Sequence, residues 1–398
     1  MAPPGLFPEW PEPPDPRHDL PRPQRITTDA EIDRHQQRPQ FPLPGLCPDL
    51  HGLVTPVRAV IYEQFGGPDV LTMIEIPEPS PGHDEVQVRV LAVAVDFIEL
   101  HKRHGGSGRV GSPEEPSYGI GDPPWFPGGT ACVEIIGLGS SVSGLAVGDR
   151  HLVGGLHPGA YVDIAVLPAT KLTAGTPEAP GPTEFPESLT PTEAAAFDYA
   201  PVAYHTLRTA AGLQAGETVL IHAASGGTGV LAVQLAKHFG ATVIGVVGSR
   251  HKVDPILALG ADYVLNSETD DIASEVARLT GTTGPDVVWD PVGGDIFTAS
   301  PDLMAEGGRL VSLGSNSFTG AATVDFLPFW TKNIRLIGWG GRSNHDAHAP
   351  AIMRDLLTLV AAQQLRPIVG AEYSLHQASD AHVAVESRQH VGKVVLVP

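Results

Sequence analysis

Cysteine is almost absent from this chain, since only Cys47 and Cys132 occur among 398 residues. Two cysteines form at most one disulfide, so a small secreted fold held by several bridges is excluded and a reducing cytoplasm is the expected location. No apolar run approaches the roughly 18 residues of a membrane span. The first residues also lack the apolar core of a secretory signal, so neither a membrane anchor nor secretion is expected.

Lysine and arginine are scarce as well, with 25 of them against 45 acidic residues and a net charge of −20. No basic run interrupts this acidic balance, so nucleic-acid phosphates are excluded as a partner on electrostatic grounds. The length exceeds that of one ordinary domain and suits two. These values predict a two-domain globular protein that binds neither nucleic acid nor membranes.

Proline, by contrast, is concentrated near the start, where it supplies fourteen of the first 57 residues. Because proline fits neither helix interiors nor central strands, residues 1–57 form a segment distinct from the rest. Two interpretations remain open: a disordered or polyproline tail, or an ordered arm that packs on a neighbour through Phe7, Trp10 and Phe41. Thr28–Gln37 is a candidate helix within it.

The most informative stretch runs from Thr218 to Ser249. Its first residues, Thr218–Ile221, predict a short strand buried on both faces. A turn of small residues, AASGGTG, comes next. The apolar spacing from Val230 to Ala236 then predicts a helix that stops at Phe239-Gly240. Thr242–Val247 completes a strand–helix–strand unit, which forces the two strands to be parallel.

The glycines of this turn point to a dinucleotide. A turn without side chains lets the backbone bend sharply, approach a ligand and pack closely on the strand. The helix that follows offers free N–H groups and a positive dipole end to a pyrophosphate. The motif is the looser AxxGGxG, formed by Ala223, Gly226, Gly227 and Gly229. A glycine-rich turn in some other parallel α/β fold is therefore the alternative.

The residues after the second strand indicate which nicotinamide coenzyme is preferred. A site for NAD carries an acid about 20 residues past the glycines, which binds the ribose 2′-hydroxyl. Here the segment reads Gly248-Ser249-Arg250-His251-Lys252, and the first carboxylate is Asp254. Hydroxyl and cationic groups suit a 2′-phosphate, so we predict NADPH. Alternatively, Arg250 and Lys252 are only solvated residues of the next helix.

The rest of the chain divides into a β-rich part and an α/β part. Short runs with a period of two predict strands between Arg58 and Leu167, with a short helix at Val95–His104. A helix or helix pair with a break at Pro201 is predicted for Thr192–Thr209. Further strands are predicted at Tyr263–Leu265, Asp286–Asp290, Arg309–Leu313 and Lys393–Val397, and helices at Asp271–Leu279, Asp295–Met304 and Ala351–Gln363.

Short motifs shared with a known family run in order from about residue 58 onward. They are Phe65–Leu71, Phe126–Gly128, Val147–Arg150, Gly159–Tyr161, Ala211–Leu220, the AASGGTG turn, Leu259–Asp262 and Gly392–Leu396. With them the chain resembles the zinc-free quinone oxidoreductase (zeta-crystallin-like) branch of the medium-chain dehydrogenase/reductase superfamily. The resemblance implies an α/β fold with two domains. A GroES-like β-rich domain, residues 58–195 completed by 341–398, would hold a Rossmann domain with a doubly wound parallel sheet, residues 196–340.

The resemblance also implies where NADPH would bind, in the cleft between the two domains. Family members usually form homodimers through the Rossmann sheet edge, so Arg335–Gly340 is the predicted pairing strand. The pyrophosphate would contact Gly226, Gly227, Thr228 and Gly229. The adenosine end would contact Gly248, Ser249, Arg250, Lys252 and Asn266, and the remaining coenzyme contacts would come from Val202, Leu313, Gly314, Ser315 and Lys393.

Zinc, in contrast, is not expected. Catalytic zinc in the related alcohol dehydrogenases uses cysteine, histidine and acidic ligands. The segment Ala92–Asp96, aligned with their catalytic cysteine, has no sulfur, and their Gly-His-Glu element reads Gly128-Gly129-Thr130 here. His101 with His104, and His345 with His348, have metal-compatible spacings, but we interpret them as ordinary surface or loop pairs. We predict no metal.

Three function hypotheses follow. The leading one is an NADPH-dependent reductase that transfers a hydride to a quinone or to an α,β-unsaturated carbonyl compound. Across the hypotheses, the predicted partner is a small molecule: a quinone, an enone or an enoyl thioester. Its first candidate proton donor is Tyr204, unless that residue is a packing aromatic. The second candidate is Asp96, which stands where the family commonly carries asparagine and would act only if protonated. Tyr118 and Trp125 are candidates for the substrate wall.

The second hypothesis is an enzyme of natural-product assembly. It would be a freestanding enoyl reductase, or a former reductase reused for cyclisation. The third hypothesis is a structural or interaction protein that binds the coenzyme without turnover.

Overall fold

The computed structural model describes residues 55–105, 123–173, 188–281, 283–314, 316–317, 322–339 and 349–398. The predictions for the proline-rich segment, its candidate helix and Tyr118 lie outside these residues. Cys132 is a buried free thiol, and burial raises its pKa to about 12. Among the described residues, no helix is long and apolar enough to cross a membrane.

Six strands form a parallel sheet in the order β12-β11-β10-β7-β8-β9. The central strand, β7, carries apolar residues on both faces, which bury on opposite sides of the sheet because side chains alternate along a strand. The strands are β7 (Thr218–Ile221), β8 (Thr242–Val247), β9 (Tyr263–Asn266), β10 (Val287–Asp290), β11 (Arg309–Ser312) and β12 (Arg335–Gly338). From β7, the strands continue through β8 and β9 on one side and through β10, β11 and β12 on the other. The predicted doubly wound sheet is therefore confirmed.

The second sheet is largely antiparallel and has the order β13-β14-β3-β4-β5, with β6 also paired to β3. Strand β14, in the C-terminal segment, returns to this sheet and pairs antiparallel with β3. The strands are β3 (Glu85–Ala94), β4 (Thr130–Leu138), β5 (Arg150–Gly154), β6 (Ile164–Pro168), β13 (Val369–Ser374) and β14 (Lys393–Val397), and β1 (Pro56–Ile61) pairs separately with β2 (Thr72–Pro77). The predicted β-rich part is confirmed.

Helices connect the strands and cover the parallel sheet. The helix after the glycine turn is apolar on nearly every side and is buried up to Ala236, as expected between sheet and neighbouring helices. The helices are α1 (Phe97–Arg103), α2 (Thr170–Thr173), α3 (Pro191–Ala196), α4 (Ala200–Tyr204), α5 (Gly229–His238), α6 (Val253–Ala258), α7 (Ile272–Leu279), α8 (Asp295–Leu303), α9 (Leu327–Thr331), α10 (Ala349–Ala361) and α11 (Ala378–Ser387).

One predicted boundary is wrong. The break between α3 and α4 falls at residues 197–199, and Pro201 lies within the first turn of α4. Proline is tolerated there because the N–H group it lacks would have no helical partner. The helix then continues as a π-helical turn over His205–Ala210.

A buried arginine connects α1 to α11. Arg103 is fully buried; its Nε donates to the Gly66 carbonyl at 3.1 Å, and its guanidinium forms an ion pair with Glu386. Its Nη1 lies 2.9 Å from His382 Nδ1, and His382 Nε2 lies 3.1 Å from the Tyr161 hydroxyl. Arginine only donates, so His382 accepts at Nδ1 and donates from Nε2. Burial, together with the neighbouring Arg103, lowers the pKa of His382 to about 3, which keeps this tautomer neutral.

Candidate active site

The glycine turn lies where the parallel sheet changes direction. Strand β7 has β8 on one side and β10 on the other, which creates a crevice at the carboxyl ends of the strands. Glycine is required at the start of α5, since a β-carbon on Gly229 would lie 2.2 Å from the Ala223 carbonyl oxygen. Ala223 itself has a positive φ of 50°, which marks the sharp bend out of the strand. Gly226, Gly227, Thr228 and Gly229 thus form a bare backbone surface at this crevice.

The C-terminal segment closes onto this turn. Gly392 N donates to the Ser225 carbonyl at 2.9 Å, and Gly226 and Gly392 form a parallel β-bridge. The next side chain, Lys393, crosses the turn, because a β-carbon on Gly227 would lie 2.8 Å from Lys393 Cε. A residue 166 positions away in sequence therefore becomes part of the predicted pyrophosphate site.

Lys393 is held by two buried carboxylates. Its Nζ lies 2.7 Å from Asp96 Oδ1 and 3.0 Å from Asp198 Oδ1, and it also stands 4.6 Å from the centre of the Tyr199 ring. Burial opposes the charge on Lys393, but Asp198 and Asp96 together raise its pKa above the usual value. The ammonium is therefore permanent, and the structure brings the predicted residues Asp96 and Lys393 together.

A second cationic cluster lies after β8. Lys252 is buried, and its ammonium donates to the Arg388 carbonyl oxygen. Burial and the adjacent Arg388 lower the pKa of Lys252, against an opposing effect of Glu268, and burial and Lys252 likewise lower the pKa of His390. Arg388 itself is exposed, and its Nη2 donates to the Asn316 carbonyl at 2.8 Å. A buried ammonium and an exposed guanidinium thus belong to the same cluster, a setting that favours an anion.

The other residues predicted to contact the adenosine end differ in burial and in their hydrogen-bond partners. A β-carbon on Gly248 would meet nothing within 4 Å, so the space above it is open, and Ser249 Oγ lies 3.3 Å from His251 Nδ1. Arg250 is exposed and pairs with Asp254 at 3.4 Å. Asn266 ends β9, is buried, and accepts at Oδ1 from the Glu268 N–H at 3.1 Å.

Of the remaining predicted coenzyme contacts, Leu313 and Gly314 follow strand β11, whereas Val202 lies on α4. Leu313 N donates to the Asp290 carbonyl at 3.1 Å, and a β-carbon on Gly314 would lie 2.7 Å from the Pro291 carbonyl oxygen. Val202 on α4 is buried, and its carbonyl accepts from the Thr206 hydroxyl at 2.7 Å. Ser315 lies outside the described residues.

Tyr204 lies away from the glycine turn. Its hydroxyl donates to Asp355 Oδ2 at 3.2 Å, and its ring packs edge-on against Phe239, 5.2 Å away. Phe239 caps the carboxyl end of α5, whereas the glycine turn precedes the amino end, about 15 Å along the helix axis. This placement favours the packing interpretation of Tyr204 over a role as proton donor.

Two buried polar groups at the crevice were not singled out from the sequence. His222 follows β7, and neither of its ring nitrogens has a hydrogen-bond partner among the described residues. Burial lowers its pKa to about 4, so the ring is neutral. Asp290, which ends the adjacent strand β10, accepts at Oδ1 from Val292 and Gly293, while Oδ2 is unpartnered within the same ranges. Buried polar atoms rarely lack partners, so these atoms mark the crevice as a place for a polar ligand.

The antiparallel sheet supplies the opposite wall. Glu99 Oε2 accepts from the Gly128 N–H at 3.0 Å, and a β-carbon on Gly129 would lie 3.1 Å from Asp96 Oδ2. Trp125 exchanges backbone hydrogen bonds with Tyr62, is partly buried and packs against the core of this sheet. The wall therefore combines buried carboxylates with a glycine loop, and Trp125 stays partly accessible beside that core.

These residues do not fit a zinc ion. In the portion of the chain that is described, no three His, Cys, Asp or Glu side chains converge on a common point. Asp96, at the end of the segment aligned with the catalytic cysteine, instead binds the Lys393 ammonium, and a cation there would repel Zn²⁺.

Comparison with known proteins agrees with this geometry. The profile of the family described as zinc-binding dehydrogenase matches residues 227–360. The chain is 30% identical to the 2-haloacrylate reductase of a Burkholderia species over 354 residues, which covers 86% of this chain and 99% of that protein. The crystal structure of Escherichia coli quinone oxidoreductase complexed with NADPH superposes with a TM-score of 0.74 at 28% identity, over 86% of this chain and all of that one.

A longer relative is also similar. Over 85% of this chain, the identity is 29% with one chain of the phenolphthiocerol/phthiocerol polyketide synthase of Mycobacterium tuberculosis. The alignment spans only 15% of the length of that synthase chain. The chain matches the 2-haloacrylate reductase and the quinone oxidoreductase over nearly their whole length. It therefore belongs to the medium-chain dehydrogenase/reductase superfamily, in its quinone oxidoreductase branch.

Proposed function

We propose that this protein is an NADPH-dependent reductase of quinones or α,β-unsaturated carbonyl compounds. The observation that supports this most directly is the bare glycine turn at the sheet crevice, with Lys393 on one side and the buried cation Lys252 after the neighbouring strand. We assign the site to the cleft between the predicted β-rich domain, residues 58–195 with 341–398, and the predicted Rossmann domain, residues 196–340.

NADPH supplies a hydride when bound, and the chain supplies its orientation. Backbone N–H groups at Gly227–Gly229 and the ammonium of Lys393 bind the pyrophosphate. The cluster formed by Lys252, Arg388 and His390 binds the 2′-phosphate. Carbonyl reduction builds negative charge on a substrate oxygen, which must be stabilised by donors and then protonated. Asp96 Oδ1 is occupied by the Lys393 ammonium at 2.7 Å, so we assign delivery of the proton to water.

The test is oxidation of NADPH followed at 340 nm with a panel of simple quinones, enones and 2-haloacrylate. We expect turnover with at least one acceptor and much weaker activity with NADH. Tight NADPH binding by calorimetry without turnover on any of these acceptors would reject the quinone or enone reductase and favour the second candidate, an enzyme of natural-product assembly.

The second candidate, a freestanding enoyl reductase, is favoured by the similarity to part of a polyketide synthase. Acyl thioesters would then replace free enones as substrates. Comparing kcat/KM for an enoyl thioester with that for the matching free enone separates the two candidates, and consumption of thioester without NADPH oxidation would indicate the cyclising variant.

We also propose a homodimer that pairs through β12. Within the described ranges this strand is bonded on one side only, to β11, and large apolar side chains are exposed on the strand and in the segment before it. Leu336 on the strand and Phe326, Leu327 and Trp330 on or next to α9 are all more than half exposed. Such a patch on an open sheet edge suits a second copy of the same edge.

The double substitution Trp330→Glu with Leu336→Glu is expected to convert the dimer to a monomer in sedimentation velocity, because it places four like charges across the shared edge. Val147→Glu is the matched control, since Val147 is equally exposed but lies in the β-rich domain. A wild-type monomer, or a double variant that stays dimeric, would refute the β12 interface.

A further inference from the structure

Asp198 has no role in the function proposed above, yet it is completely buried in the loop between α3 and α4. Its Oδ1 lies 3.0 Å from Lys393 Nζ, which also bonds to Asp96 at 2.7 Å. Only 4% of the Asp96 side chain and 7% of the Lys393 side chain are exposed. Two carboxylates thus share one ammonium, and the fully ionised cluster carries a net charge of −1 in an environment that does not solvate it.

The surrounding groups do not cancel this charge. On the far side of Asp96, Glu99 is paired with Lys102 at 2.6 Å, so that pair is neutral. The Tyr199 ring stands against the Lys393 ammonium and carries no charge. The phenol of Tyr161 stays neutral as well, because burial, Glu99 and Asp96 raise its pKa. The excess charge therefore stays on the two aspartates.

A proton removes the excess charge. Burial and the neighbouring Asp96 raise the pKa of Asp198 well above its usual value, and the opposing effect of Lys393 is smaller. Lys393 keeps its own proton, because its two carboxylate neighbours raise its pKa. The proton that removes the excess charge is therefore assigned to Asp198, the more deeply buried of the two aspartates.

This cluster borders the glycine turn. A β-carbon on Gly227 would lie 3.4 Å from Lys393 Nζ, so the ammonium reaches the backbone to which the pyrophosphate is assigned. A ligand with two negative charges at this turn repels the ionised form of Asp198 and leaves the neutral form unaffected.

We propose that Asp198 is a positioning residue that carries a proton for the coenzyme site, so that NADPH binding is coupled to proton uptake at Asp198 through Lys393. The inference rests on the proposed function, because it requires NADPH at the glycine turn. NADPH affinity then falls as pH rises between the pKa of Asp198 in the free protein and that in the complex, by at most about tenfold per pH unit.

The experiment is titration calorimetry of NADPH into the full chain between pH 6.5 and 9, in pairs of buffers with different ionisation heats, for wild type and Asp198→Asn. The 2′-phosphate of NADPH, with a pKa of about 6, contributes equally in both proteins and cancels in the difference. We expect wild type to take up more protons per bound NADPH than Asp198→Asn, by up to about one. The Asp198→Asn protein should also lose less affinity than wild type as pH rises.

Equal proton uptake with parallel pH profiles in the two proteins would overturn the inference while leaving the reductase intact. Absence of NADPH binding by folded wild type would overturn both. Asp96→Asn provides a second variant if Asp198→Asn does not fold. It removes a neighbouring charge that raises the pKa of Asp198, so its affinity loss should begin at lower pH than in wild type, and an unshifted profile would count against the inference.

Discussion

Replacing both Lys252 and Arg388 with alanine is expected to weaken NADPH binding by about a hundredfold or more and to leave NADH binding nearly unchanged. Each charge-assisted hydrogen bond to a phosphate contributes about 1.5–3 kcal/mol, and two of them correspond to at least two orders of magnitude in Kd. Lys252 is buried with its ammonium on a backbone carbonyl, so it has little solvation to lose when a phosphate arrives. Calorimetry with both coenzymes measures the effect.

Arg250→Ala is the matched control for this prediction. Arg250 lies two residues from Lys252 but is exposed and paired with Asp254 at 3.4 Å. Exposed pairs of this kind contribute little, so NADPH affinity should change by no more than about threefold. An equal loss for NADPH and NADH in the double variant would show that these cations do not bind the 2′-phosphate.

Arg103→Met is expected to lower the free energy of unfolding by about 3–5 kcal/mol, because the substitution removes the charge of a buried pair and leaves polar groups without their donor. Arg103 is fully buried, donates hydrogen bonds to the Gly66 carbonyl and to His382, and forms an ion pair with Glu386. Equilibrium urea unfolding, read by circular dichroism, provides the measurement.

The comparison variant for Arg103 is Arg89→Ala. Arg89 also pairs with a glutamate, Glu134, at 3.5 Å, but its side chain is 54% exposed. We expect a change within about 0.5 kcal/mol for this surface substitution. If the free energy of unfolding fell equally in the two variants, the buried contacts of Arg103 would stabilise the fold no more than an ordinary surface ion pair does.

Local signals predicted much of the fold. The parallel strands around the glycine turn were readable because a strand buried on both faces is a continuous apolar run, and β8 was predicted with the bounds it has in the structure. The turn itself was readable because close approach of Gly229 to the Ala223 carbonyl leaves room for no other residue. By contrast, α11 was not predicted, because its apolar residues do not form a clear helical stripe.

The site was predicted less completely, for a physical reason. Lys252 lies at the expected spacing of about 20 residues past the glycine turn, and this spacing alone indicated its place in the adenosine site. Arg388 and His390 join Lys252 only because the C-terminal segment folds back, and Asp198 gains its partner from the same segment. No periodicity or spacing reports such contacts. Tyr204, the last residue of α4, shows the converse: it was the first candidate proton donor, but its hydrogen bond to Asp355 favours a packing role.

The return of the C-terminal segment also bears on biosynthesis. A nascent chain that has reached residue 387 has already made every strand of the parallel sheet, but it lacks Arg388, the bridge at Gly392 and the ammonium of Lys393. Until these residues leave the ribosome, Asp96 and Asp198 lack the Lys393 ammonium that they share. Translation must therefore pass Lys393 before the coenzyme can help to hold the two halves of the molecule together.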